Sequence, residues 1–146
     1  NRGWDDIVGS HPELVKLGAQ TANWSAEEAK SVFDTVLKAN NNDVQIVFAQ
    51  NDEMGLGAAL AVEEAGLIPG VDVKIATIDG TIGAMEALAD GRLSFVAEYN
   101  PLFGQTALEI VMAVLAGETV DSYIIVPSGV FDSPEAAQAA LPDRKY

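Results

Sequence analysis

The chain has 146 residues, a formal net charge of −14, an isoelectric point near 4.1, 49% apolar residues and no cysteine. That length suits one domain with a real core, the apolar share excludes a chain that stays disordered, and the missing cysteine excludes disulfides, thiol catalysis and cysteine-based zinc sites. The acidity argues against nucleic acid or an anionic membrane as direct partner, and the longest uncharged apolar run, Ile110 to Ala116, falls far short of the about 20 residues that span a bilayer.

In chain order, the opening Asn1-Arg-Gly-Trp-Asp-Asp6 has no initiator methionine, basic region or apolar leader. This predicts either a processed start or a piece of a longer protein. Val15–Gln20 reads as a first strand. Ser25-Ala-Glu-Glu28 has the form of a capping box, and the helix behind it repeats apolar residues at Ala29, Val32, Phe33, Val36 and Leu37 before halting in Asn40-Asn41-Asn42. Val44–Gln50 is a near-continuous apolar strand, as expected where both sheet faces are covered. A helix follows Asn51-Asp52 and ends at Gly66, with a turn at 67–70. Val73–Asp79 is a strand, Thr81 to Asp90 a helix closed by Gly91, and Leu93–Glu98 a strand. A fourth helix opens at Pro101 and ends at Gly117. Ser122–Val126 reads as a strand closed by Pro127, and Ser133-Pro134-Glu135 starts a last short helix that stops near Pro142. The alternation of periods predicts an α/β chain built on a parallel sheet.

The fourth helix is unusual. Ala107, Leu108, Ile110, Val111, Met112, Val114 and Leu115 wrap most of its circumference. Two readings stand: a central helix in a thick core, or a helix that has lost or shares a partner.

Catalytic material is scarce. The single histidine, His11, precedes a proline in an apparent turn, no Gly-x-Ser-x-Gly elbow occurs, and a histidine metal site lacks a second ligand. Asp5/Asp6, Glu27/Glu28 and Glu63/Glu64 are adjacent on helices, so their members point apart. The chain is expected to be no enzyme, with no catalytic residue, metal or cofactor. Gly55-Leu-Gly57-Ala-Ala-Leu60 approaches a dinucleotide fingerprint, yet its glycines fall inside a helix and the third is Leu60. They are read as small residues that let the helix pack close to the sheet.

The informative positions are strand ends, because ligands of open α/β sheets bind beyond the carboxyl ends of the strands. Those ends read Gln20-Thr-Ala-Asn-Trp24, Gln50-Asn51-Asp52, Ile78-Asp79-Gly80 and Ala97-Glu98-Tyr-Asn100. Carboxylates and amides there suit a neutral polyol, and an indole offers a flat apolar face to a sugar ring. Asn51 and Asp79 equally fit helix N-caps, and Trp24 a hydrophobic staple.

Several ordered segments are recognisable. Val47-Phe-Ala-Gln-Asn-Asp-Glu-Met-Gly-Leu-Gly-Ala58 resembles the "VFAxNDxMALGA" segment of type I periplasmic sugar-binding proteins, the ribose/galactose group of ABC transport receptors. Ile78-Asp-Gly80 with Ala84, Ala87, Gly91 and Leu93 is similar to the next stretch of that family. Ala97-Glu-Tyr-Asn-Pro-Leu-Phe-Gly104 is similar to its hinge, and Pro127–Tyr146 to the tail of the galactofuranose-binding branch. The resemblance covers essentially the whole chain and implies only part of a two-lobe receptor, namely the Rossmann-like C-terminal lobe with one crossover helix from the hinge. The implied division is 1–98 for the C-terminal lobe, 99–119 for hinge and crossover helix belonging to the absent N-terminal lobe, and 120–146 for the return strand and tail. Gly3-Trp4 resemble the family's "GF", which places an expected arginine just before Asn1.

The resemblance implies that Asn51 and Asp79 bond sugar hydroxyls, that Trp24 stacks on the ring, and that Glu98 and Asn100 touch the ligand from the hinge. Ile78 stands where an aromatic is common, which weakens ribose specificity. It further implies a monosaccharide ligand, a membrane permease as partner, no nucleic acid, and a periplasmic or otherwise extracytoplasmic location, with any signal peptide outside this chain. The fourth helix is expected to fold back onto the remaining sheet or to be buried by exchange in a homodimer. The alternative is the effector core of a LacI-type transcriptional regulator, which shares "NDxMALG" but usually reads "GFDD" where this chain has Ile78-Asp-Gly80, and which carries a helix-turn-helix not found here.

Overall fold

Three of the expected strands pair as their apolar runs require. In the computed structural model, which describes residues 2–146, β1 (Ile46–Phe48), β2 (Lys74–Asp79) and β3 (Phe95–Glu98) lie parallel and side by side. A two-residue β4 (Val130–Phe131) joins antiparallel to β3. The helices are α1 (Arg2–Ser10), α2 (Ala26–Ala39), α3 (Asp52–Glu64), α4 (Ile82–Ala89), α5 (Gly104–Leu115) and α6 (Pro134–Ala140), with a 3₁₀ turn at Leu141–Asp143. None is long and apolar enough to cross a membrane among the described residues.

The apolar stripe of α2 buries Ala29, Phe33 and Leu37 and packs against α3; α4 buries Ala84, Met85, Ala87 and Leu88 and packs against α6. Leu37, Val62, Val73, Ile75, Met85, Leu88 and Val96 have no exposed surface. A leucine so enclosed contributes about 2–5 kcal/mol relative to alanine. The glycines of α3 are needed for close approach: a Cβ on Gly55 would strike the Thr77 methyl, and one on Gly57 the Ala26 carbonyl. That carbonyl belongs to the first residue of α2, so Gly57 draws the start of α2 onto α3. At its far end α3 closes through Gly66 at φ 78°, whose N–H reaches Glu63 C=O while Leu67 N–H reaches Val62 C=O.

Four expectations are corrected. Val15–Gln20 forms no strand, with Val15 79% and Leu17 51% exposed. Its alternation is right for a strand, but a strand exists only with a ladder neighbour, and β1 pairs on one side alone, with β2. Ser122–Val126 fails for the same reason. The returning chain pairs only after Pro127, where Glu98 N–H donates to Gly129 C=O at 2.9 Å. The fourth helix starts at Gly104 rather than Pro101, because the Asn100 side chain accepts from Leu102 N–H at 2.8 Å and holds 100–102 in a turn. That helix, α5, does not fold back onto the sheet. No residue of it is buried, and Leu108, Val111, Met112 and Leu115 are all more than half exposed.

Candidate functional site

Parallel strands put their carboxyl ends on one rim. Asn51 follows β1, Asp79 ends β2 and Glu98 ends β3; Asp79 and Glu98 are register partners, and Tyr99 N–H donates to Asp79 C=O at 2.9 Å. Three of the five expected site residues therefore share one edge of the sheet.

Asp52 organises this edge. Its side chain is buried, with Oδ1 accepting from the Thr77 hydroxyl at 2.7 Å. Its Oδ2 accepts from Gly80 N–H at 2.8 Å, Thr81 N–H at 2.7 Å and the Thr81 hydroxyl at 2.9 Å. The turn after β2 is thus held to the start of α3. It carries Asp79 at φ 129°, a conformation in which an L residue is strained by about 1–3 kcal/mol, followed by Gly80 at φ 85°. Burial, then the neighbouring Asp52 carboxylate, raises the Asp79 carboxyl above its ordinary range, with the Asp52 main-chain N–H opposing them. Asp79 caps no helix; Thr81 does, its hydroxyl accepting from Ala84 N–H. Asn51 does cap α3, its Oδ1 accepting from Met54 N–H at 3.0 Å.

Trp24 is 72% exposed, so it is no staple. It sits at φ 58° beside Asn23 at φ 49°, a left-handed pair that is uncommon for a bulky side chain. The capping box explains how the pair is held. Ser25 Oγ accepts from Glu28 N–H at 3.2 Å, but the Glu28 carboxylate takes the Asn23 amide at 2.7 Å instead of returning to Ser25, whose N–H goes to Ala22 C=O. Because Gly57 draws α2 against α3, this loop is anchored beside the helix that Asn51 starts.

Glu98 and Asn100 are differently placed. The Glu98 carboxylate accepts from Gly129 N–H at 2.5 Å and from the Arg144 guanidinium and the Tyr146 hydroxyl. Burial by itself would raise this carboxyl; Tyr146, Gly129 and Arg144 together hold it below the usual glutamate range. Burial and the Glu98 carboxylate in turn push the Tyr146 phenol up to about 12. Asn100 Nδ2 donates to Pro127 C=O at 3.2 Å while its Oδ1 holds Leu102. Both residues bridge the outgoing and returning chain.

Sequence reasoning gave no role to the side chains of Asp52, Arg144 and Tyr146, and it read Glu28 as a capping-box member without its bond to Asn23. Asp52 had a signal, since a second polar residue directly after a buried strand is placed to reach the neighbouring turn. Nothing local marks the tail residues.

The rim offers a strained carboxylate and a helix-capping amide, an exposed indole stands in the loop ahead of α2, and no metal-binding group of acidic or histidine side chains occurs among the described residues. Residues 1–119 match the model of a periplasmic binding protein domain. The fructose import binding protein FruE of Bifidobacterium longum is 48% identical over 138 residues, covering 94% of this chain and 41% of that protein. A Mycobacterium smegmatis crystal structure in complex with β-D-fucofuranose superposes with a TM-score of 0.89 at 39% identity, covering 97% of this chain and 46% of the other. The binding component of the arabinose ABC transporter from Shewanella sp. ANA-3, bound to L-arabinofuranose, gives 0.89 at 33% identity, with 99% and 48% coverage. The chain therefore spans less than half the length of each of these proteins.

Proposed function

As the chain belongs to the periplasmic binding protein domain family, we propose that it supplies one lobe of a two-lobe receptor. That receptor captures a monosaccharide outside the cytoplasm and hands it to the membrane permease of an ABC transporter. The work is hinge closure about a ligand, with no bond made or broken. The observation that carries this reading is the strained Asp79 carboxylate on the same strand-end rim as Asn51. Such strain persists where function needs the geometry.

Asn51 and Asp79 bond sugar hydroxyls and Trp24 covers an apolar ring face. Glu98 and Asn100, whose polar atoms already have partners, act as braces of the hinge. The furanose rings in the two solved complexes favour a sugar in its five-membered ring form. Residues 1–98 form the lobe, 99–119 the outgoing hinge and crossover helix, and 120–146 the return, with α6 packed back on α4. The exposed face of α5 covers the sheet of the second lobe. FruE is an import binding protein and the Shewanella protein a component of an ABC transporter, which favours the receptor over a transcriptional regulator.

Calorimetry of the two-lobe protein with D-fructose, L-arabinose and D-galactose tests the reading. Binding of at least one sugar, lost in Asp79→Ala with the fold intact, is expected; affinity that survives that change refutes the pocket. The 146-residue chain alone should bind weakly and should pair through α5 by exchange between two copies. A monomer in light scattering with α5 amides fully exchanging would refute the exchange.

A further inference from the structure

The C-terminal residues, which the sugar-binding reading leaves without a task, converge on the hinge. Glu98, the last residue of β3, and Gly129, just ahead of β4, are bonded twice. Glu98 N–H donates to Gly129 C=O at 2.9 Å, and Gly129 N–H donates to Glu98 Oε2 at 2.5 Å. Glu98 Oε1 accepts from Arg144 Nη1 and from the Tyr146 hydroxyl, and Arg144 Nη1 also reaches that hydroxyl at 2.9 Å. The guanidinium lies over two rings, 4.9 Å from the Phe131 centroid and 5.2 Å from that of Tyr146. The side chains of Arg144 and Glu98 are only 6% and 13% exposed.

The cluster also touches the Asp79 turn. Tyr146 C=O accepts from Ile82 N–H, the first residue of α4, at 2.7 Å. A Cβ on Gly80 would lie 3.4 Å from both Arg144 Nη1 and Glu98 Cα, so the tail and the hinge strand close directly over the residue that follows Asp79.

A buried ion pair adds little stability over apolar residues of equal volume, because desolvation offsets its attraction. What it adds is direction. A planar guanidinium that lies over two rings while its Nη1 holds both the carboxylate and the phenol has a fixed orientation, which a lysine could not reproduce. We propose that Arg144 and Tyr146 are positioning residues of the hinge. They hold the Glu98 carboxylate on Gly129, and so lock the two chain crossings and the Asp79 turn into one unit that turns as a body when the lobes open and close. This rests on the receptor reading above.

The test uses the two-lobe protein with Tyr146→Phe, which deletes one O–H, and Arg144→Lys, which keeps the charge and loses the plane. Without sugar, amide exchange at Gly129 should rise about tenfold in each, the value for one net hydrogen bond lost, and the distribution of interlobe distances from paired spin labels should broaden. With D-fructose as probe, release should speed with little change in association rate. Unchanged Gly129 exchange in both variants overturns the latch. Faster exchange with an unchanged distance distribution also overturns it, since a merely structural tail would behave so. Failure of the unmodified protein to bind D-fructose, L-arabinose or D-galactose would count against the receptor reading, while the sugar-free measurements still decide the latch.

Discussion

The Asp52 carboxylate and the Gly80 main-chain N–H meet at 2.8 Å, tying the first residue of α3 to the turn that ends β2. Everything Asp79 presents at the rim depends on that tie. Asp52→Ala should lower stability by about 3 kcal/mol or more, because hydrogen bonds to a charged acceptor are worth about 1.5–3 kcal/mol each and their buried donors lose their partner. Urea denaturation measures it, and an unchanged midpoint would show that the turn holds itself.

Trp24 should show a trade between stability and binding. Its left-handed backbone suits glycine and its ring is exposed, so Trp24→Gly relieves strain while removing the platform. The variant should gain up to about 1 kcal/mol in stability and bind sugar more weakly in the two-lobe protein. A loss of stability together with unchanged affinity would contradict both halves.

The raised Asp79 carboxyl has a signed consequence for pH. In the proposed site a sugar hydroxyl donates to the carboxylate, so affinity should fall as pH drops through the folded pKa, beginning above the ordinary value of 3.8. Stability from this group moves the other way, because the folded state binds the proton more tightly than the unfolded chain. Calorimetry across the acid range checks the first statement. Asp79→Asn, with nothing to titrate there, should flatten that part of the profile, and an affinity that holds constant in the unmodified protein would contradict it.

The latch titrates at both extremes. The folded pKa of Glu98 is depressed, so its contribution is fully present above 4.5 and is lost as pH falls through the lower folded value. The phenol of Tyr146 is raised from 10.0 to about 12, so its contribution is present below 10.0 and is lost as pH rises toward that figure. Denaturation midpoints of the unmodified protein, Glu98→Gln and Tyr146→Phe against pH should lose the acid limb in the first variant and the alkaline limb in the second. Parallel profiles for all three would refute the assignment.

The amino-acid sequence by itself determined the α/β class, the three parallel strands and the starts of α2, α3 and α6. Those follow from short-range physics: apolar periodicity, caps such as Ser25 and Ser133, and breakers such as Gly66. It also placed Asn51 and Asp79 at the ends of β1 and β2, because an apolar run that stops at a polar residue marks a strand end. Only the tertiary structure decided that Val15–Gln20 and Ser122–Val126 are unpaired, since a ladder needs a neighbour that local pattern cannot supply. The same holds for the residues joined across the chain. Asp52 reaches Gly80, Glu28 turns to Asn23, and Glu98 is taken by Arg144 and Tyr146 from the far end of the sequence. A carboxylate at a strand end looks the same in sequence whether it faces a sugar or a guanidinium. Which donors arrive is settled by packing.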